Sequence, residues 1–209
     1  MAENNVKFQV IVGCCKLNDN PDKMGIGITL NNLPTMSWSF KNDMDHFRNT
    51  TTGNFVLMGR NTWESIPEKF RPLPNRINII VSSNADKLNE EKQQKYNLGS
   101  VNIHFVKSID EGINYYIDKN KEPQHMHKEL FIIGGENIYT QVIEKYPKNI
   151  DKLFITMIDN IYPCDKYFPI KKYLDLNPKL IFDMPKKNDV NSLSVFKENI
   201  TYCIKVYKF

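Results

Sequence analysis

The sequence predicts an α/β domain built on a mainly parallel sheet, with an antiparallel C-terminal edge strand and helices on its flanks. Three observations predict it. Short apolar runs with strand character recur along the chain, and segments with helical apolar spacing separate most of them. Several of these runs end in glycine or serine turns, which suits strands that feed helices. Two strand-like segments then follow one another near the C-terminus, which suits an antiparallel edge. No composition break divides the chain, so residues 1–209 read as one domain.

The elements follow in order. Val6, Phe8, Val10 and Val12 alternate as an opening strand, and Lys16 to Lys23 is a polar loop rich in Asn, Asp and Pro. Ser39 precedes a helix with Phe40, Met44 and Phe47 on one face. Phe55 to Met58 is an apolar strand closed by Gly59, and Thr62 to Ile66 is a short helix stopped by Pro67. Ile77, Ile79, Ile80 and Val81 form a buried strand, and Asn84 to Ser100 reads as a polar surface excursion. Val101, Ile103 and Phe105 alternate as a strand. Ser108 and Glu111 make a capping box for a helix through Ile117. Leu130 to Ile133 is a strand ending in Gly134-Gly135, and a helix with Ile138, Val142 and Ile143 follows. Leu153 to Ile158 and Thr201 to Phe209 are the closing strands.

Composition narrows the function. The 41% hydrophobic and 11% aromatic content is that of a soluble globular protein. A net charge of +4, from 28 basic and 24 acidic residues, is too weak to argue for nucleic acid or a membrane surface. No apolar run approaches the roughly 18 residues of a membrane span, and the start lacks the pattern of a signal peptide. Cys14, Cys15, Cys164 and Cys203 show no metal-ligand spacing, so no metal is expected and all four read as reduced thiols of a cytoplasmic protein.

Three strand ends carry groups that suit an anion. Gly134-Gly135 lies between a strand and a helix, where backbone can approach a ligand and free amides face a phosphate. Gly59-Arg60-Asn61-Thr62 adds a cation and two hydrogen-bonding side chains at a second strand end, and Ser82-Ser83-Asn84 follows a third. Each alone is equally a polar turn; together they suit an extended polyphosphate at the carboxyl edge of an α/β sheet. Asp43 lies beside the apolar stripe of its helix, either as a solvated residue or as a buried carboxylate that accepts paired N–H bonds from a heterocycle. Arg76 opens a buried strand, where it is a surface residue or a clamp for a ligand carboxylate.

In this order the pieces resemble the dihydrofolate reductase family. The matching stretches are Ile11-Val12-Gly13, Met24-Gly25-Ile26-Gly27, Leu33-Pro34, Asp43 with Phe47, Met58 to Pro67, Arg71 to Arg76, Ser82-Ser83, Ile133 to Tyr139, Thr156 and Asp165 to Pro169. They run from about Val6 to the C-terminal strand. The resemblance implies reduction of dihydrofolate to tetrahydrofolate by hydride transfer from NADPH, with no nucleic acid or membrane partner. It implies that Asp43 is the pocket carboxylate, supported by Thr156, and that Arg76 pairs with the substrate's glutamate carboxylate. Ile11, Val12, Leu33, Met44, Phe47, Ile66, Phe70, Leu73 and Ile133 would line the substrate. Gly13, Ile26, Gly59, Arg60, Asn61, Thr62, Ser82, Ser83, Asn84 and Lys107 would hold the cofactor, with Gly134, Gly135, Glu136, Asn137, Ile138 and Tyr139. It also implies a cis peptide between the two glycines.

The sequence departs from the family pattern in places. Cys14 to Met24 is longer than usual, as is the stretch between Gly27 and Asp43. Thr35 stands where a tryptophan is usual, with Trp38 three residues on, Gly13 stands where Ala is frequent, and Met44 replaces a frequent aromatic. The mechanism implied needs Asp43 partly buried, with a raised pKa, to orient the pterin while water protonates its N5. Two rivals are a reductase of riboflavin synthesis and a basic binding module; Asp43 with Arg76 speaks against the first, and no RNA-binding signature supports the second. The expected assembly is a monomer or the reductase portion of a reductase–synthase fusion, and the sequence leaves both open.

Overall fold

Strand β1 (Phe8–Lys16) is buried along nearly its whole length because it has a strand on either side. The computed structural model describes residues 6–18, 20–30, 33–95, 102–193 and 198–209. After β1 come β2 (Met24–Leu30), β3 (Leu33–Thr35), α1 (Lys41–Thr51), β4 (Phe55–Gly59), α2 (Arg60–Ser65) and β5 (Ile77–Val81). Then follow α3 (Ala85–Lys95), β6 (Ile103–Val106), α4 (Ile109–Lys119), β7 (Leu130–Ile132), α5 (Glu136–Lys145) and β8 (Ile150–Ile161). The chain continues through β9 (Lys166–Phe168), α6 (Ile170–Leu174), β10 (Lys179–Asp183), β11 (Lys187–Val190) and β12 (Asn199–Lys208).

The order β6-β5-β4-β7-β1-β8 is parallel throughout, as the alternating pattern predicts. The C-terminal strand β12 runs antiparallel along β8, and β10 and β11 pair antiparallel with β12 on its far side. On the face that holds Val10, the sheet packs Phe8, Leu57, Ile79 and Ile132 against Val142 of α5 and Ile109 of α4. On the other face Ile11, Val56, Met58, Ile80 and Phe131 pack with Trp63 of α2. Covering both faces explains why the central strands read as continuous apolar runs.

Several expectations change at their edges. The polar stretch after Asn84 forms α3, at least to Lys95. This helix docks through Ala85, Leu88 and the Asn89 side chain, which bonds both the N–H and the C=O of Phe105. A side-chain clamp on a strand leaves no apolar stripe to read. Val101 lies outside the described residues, as do residues 96–100. The Ser108 hydroxyl caps Glu111 N–H as expected, but Glu111 reaches back to the Lys107 N–H, and α4 runs on to Lys119. Met44 does not belong to a buried stripe: it is exposed, and the buried residues of α1 are Asp43 and Thr51. The strands β3, β9, β10 and β11 have no periodic signal of their own, whereas Met24, Ile26, Ile28 and Leu30 of β2 do alternate and went unread as a strand.

Candidate active site

A cleft of about 1420 Å³ opens at the carboxyl ends of β4, β5 and β6 and runs between α1, α2 and the start of α5. That is larger than a typical single-ligand pocket of roughly 300–1,000 Å³. Its walls separate into two regions of different chemistry.

The first region centres on Asp43. Pairing of β1 with β8 sets Gly13 opposite Thr156, and α1 crosses above them. A Cβ on Gly13 would lie 3.3 Å from Asp43 Oδ2, so glycine lets the carboxylate settle close to the strand. Burial raises the Asp43 pKa from 3.8 to about 6, and the Thr156 hydroxyl pulls in the opposite direction. This is the direction that the implied mechanism needs. Trp38 is fully buried against Tyr162 at 5.7 Å between rings, and it lines the cleft with its Nε1 lacking a partner among the described residues. Thr35 also reaches the cleft, but the indole comes from Trp38.

Farther along α1 the wall is apolar: Met44, Phe47, Ile66, Phe70 and Leu73 line it, with Ile133 and the first-strand residues Ile11 and Val12 deeper in. It ends at Arg76, which is 5% exposed. Its guanidinium donates to Pro74 O and Thr51 Oγ1, each at 3.1 Å, and lies 5.6 Å from the Phe47 ring. Burial and the nearby Arg48 lower its pKa, and no carboxylate pairs with it among the described residues. A buried cation without a counter-ion is a ready receptor for a ligand carboxylate.

The second region centres on Gly134. The Gly134-Gly135 peptide is cis, as the resemblance implies, and Gly134 has φ +99°. A Cβ there would come within 2.6 Å of the Tyr139 ring, so space and backbone conformation both require glycine. Gly59 N–H donates to Gly134 O at 2.8 Å and so ties β4 to this turn. Helix α5 begins at Glu136 without a side-chain cap, so among the described residues its first amides have no capping side chain and can face the cleft. Tyr139 donates its hydroxyl to Ile11 O at 2.8 Å. Arg60, Asn61, Thr62, Ser82, Ser83 and Lys107 complete this region, with Gly13 and Ile26 at its inner end. Both cations are already paired: Arg60 Nε with Glu64 at 2.6 Å, and Lys107 with Asp86 at 2.7 Å.

The cleft thus gathers nearly all the sequence-predicted site residues. Asn84 stands apart: it lies at the start of α3 and does not line the cleft, because the Ser82 hydroxyl holds its N–H in a turn. Gly134 lies just beneath the lining rather than in it. The side chain of Leu33 is outside the described residues. Sequence reasoning missed His46, Arg48 and Glu64. His46 is three residues beyond Asp43, and Glu64 four beyond Arg60, so helical spacing was the signal that places each on the same face.

The dihydrofolate reductase family model matches residues 23–192. A dihydrofolate reductase of Heliothis virescens is 29% identical over 98% of both chains. One from Pneumocystis carinii is 32% identical over 80% of this chain and 79% of its own. A bifunctional dihydrofolate reductase-thymidylate synthase of Plasmodium chabaudi is 37% identical over 66% of this chain and 20% of its own. The match to the family model, the fold and the two-part cleft agree: this chain belongs to the dihydrofolate reductase family.

Proposed function

We propose that this chain reduces 7,8-dihydrofolate to 5,6,7,8-tetrahydrofolate with NADPH, and that residues 1–209 act as one domain. The observation that carries the reading is a pair of buried, opposite charges in one cleft, Asp43 and Arg76, neither with a counter-ion among the described residues. A pterin glutamate has the complementary ends: a ring edge of N–H donors and a carboxylate. Asp43, steadied by Thr156, accepts the ring's N–H bonds, and Phe47, Ile66 and Leu73 enclose the middle of the substrate. Arg76 takes the carboxylate and fixes the depth at which the ring stops.

The dinucleotide fits the Gly134 region because the uncapped start of α5 places Gly135, Glu136 and Asn137 on the cleft wall, where their amides can face a phosphate. Gly135, Glu136 and Asn137 would receive the pyrophosphate, and Arg60, Ser82, Ser83 and Lys107 the 2′-phosphate. The nicotinamide supplies the hydride when bound. Asp43 orients and polarises the pterin, water delivers the N5 proton, and the apolar walls exclude bulk solvent. The test is loss of NADPH absorbance on adding dihydrofolate to the purified chain. A chain that binds NADPH but leaves its absorbance unchanged would refute the assignment.

A further inference from the structure

Outside the cleft wall two sulfurs meet. Cys15 is a buried residue of β1, Cys164 is half-buried in the loop between β8 and β9, and their Sγ atoms lie 3.7 Å apart as free thiols. Gly25 of β2 pairs with Cys15, and the space beside it is where they touch: a Cβ on Gly25 would come 2.5 Å from Cys164 Sγ and 2.9 Å from Cys15 Sγ. The other two cysteines differ. Cys14 faces Met24 Sδ at 3.4 Å, and Cys203 lies on β12. A disulfide needs about 2.0 Å between sulfurs, so closure requires only a short movement of a residue that sits outside the strands.

We propose that Cys15 and Cys164 form a reversible disulfide by exchange with low-molecular-weight disulfides, and that the bond reshapes the neighbouring rim of the cleft. The more exposed Cys164 thiolate attacks one sulfur of RSSR, forming a mixed disulfide and releasing RS⁻. Cys15 then loses its proton and attacks Cys164 Sγ, releasing the second RS⁻. Two cysteine thiols are oxidised, RSSR is reduced to two RSH, and the two cysteine protons end on those thiols. The order suits the local electrostatics. The contact with Cys15, aided by the Gly27 backbone and Ser37, holds the Cys164 pKa down at about 7, and the same contact and burial push Cys15 up.

The Cys164 loop is fastened to the cleft. Ser37 Oγ donates to Pro163 O at 2.8 Å, Asp165 N–H to Gly27 O at 3.0 Å, and Thr29 N–H to Asp165 Oδ1 at 3.1 Å. Gly27, Thr29 and Trp38 line the cleft, and the Trp38 ring packs at a tilt against Tyr162 at the base of the loop. Drawing Cys164 inward therefore pulls on the strand and the indole that border Asp43.

The experiment incubates the purified chain with oxidised glutathione, alkylates free thiols, digests without reductant and reads masses. The expected result is a peptide pair joined through Cys15 and Cys164, lighter by two hydrogens, with kcat/KM lower by about threefold or more and restored by dithiothreitol. Cys164→Ser should keep basal activity and lose both effects. Cys15→Ser should stop at a glutathione adduct on Cys164. The proposal is overturned if Cys15 and Cys164 stay free while oxidant modifies other thiols, or if the crosslink forms and kcat/KM does not change. The crosslink is read by mass alone, so a chain without reductase activity would refute the functional reading and not the thiol chemistry.

Discussion

The two ends of the cleft hold charge in opposite ways. Asp43 and Arg76 are buried and have no counter-ion among the described residues, whereas Arg60 and Lys107 are half-exposed and already paired with Glu64 and Asp86. An unpaired buried charge destabilises the empty protein and strengthens a complementary ligand in the same stroke. A paired exposed charge costs the protein little, and a ligand must share it with its partner. On the proposed function, the Asp43–Arg76 end is prepared for its ligand before it arrives, and the Gly134–Arg60 end would rely on backbone amides and on side chains that must be shared with their present partners.

The strongest attempt to break this contrast is Asp43→Asn. Its kcat/KM with dihydrofolate should fall at least about 10²-fold, or about 2.7 kcal/mol of barrier; a loss of only a few-fold would remove Asp43 from the site. The same variant should be more stable than its parent at neutral pH. A carboxyl raised from 3.8 to about 6 favours the folded state fully below the lower value, and this contribution is gone once pH rises past the higher one. Denaturant titrations should show a gain of roughly 3 kcal/mol at pH 7 that disappears near pH 4. Equal stability at pH 7 would mean that Asp43 is not strained by burial.

Arg76→Leu comes next. Loss of a charge-assisted pair should raise KM for dihydrofolate by roughly 10- to 100-fold and leave NADPH affinity unchanged. An equal loss in both ligands would mark Arg76 as structural. Arg60→Ala should weaken NADPH toward the lower end of about 1.5–3 kcal/mol, because Glu64 already holds part of the guanidinium, and should leave NADH almost untouched. The kcat/KM ratio for the two cofactors measures it, and an unchanged ratio assigns the phosphate to the serines or Lys107. The smallest effect sharpens the contrast: Glu64→Gln frees Arg60 and should tighten NADPH by about two- to fivefold. Weaker NADPH binding would show that Glu64 positions Arg60 rather than competing for it.

Legibility in the sequence follows the kind of force involved. The parallel core was readable because strands covered on both faces must be apolar throughout, as in Phe55 to Met58 and Leu130 to Ile132. The glycine turns were readable because backbone conformation restricts residue choice, as at Gly134. Helix α3 was not, since Asn89 docks it through hydrogen bonds, and β10 and β11 were not, since exposed strands beside β12 carry no alternation. In the site, Asp43 and Arg76 were named from their places in a motif, but their burial depends on Gly13 and Thr51, contacts that only the fold brings together. The Arg60–Glu64 pairing was available from spacing alone.

Tyr139 belongs to both ends at once. Its ring lies under Gly134, its hydroxyl holds the Ile11 carbonyl, and its own carbonyl accepts from the buried Tyr173 hydroxyl. Mechanically it is a strut between the glycine turn and the first strand, braced from behind. The contacts give a shift of the glycine turn a path through the ring to β1, two residues before Gly13 and the Asp43 contact. Linkage makes such coupling reciprocal: whatever filling one end does to the other's affinity, filling the second does to the first in equal measure.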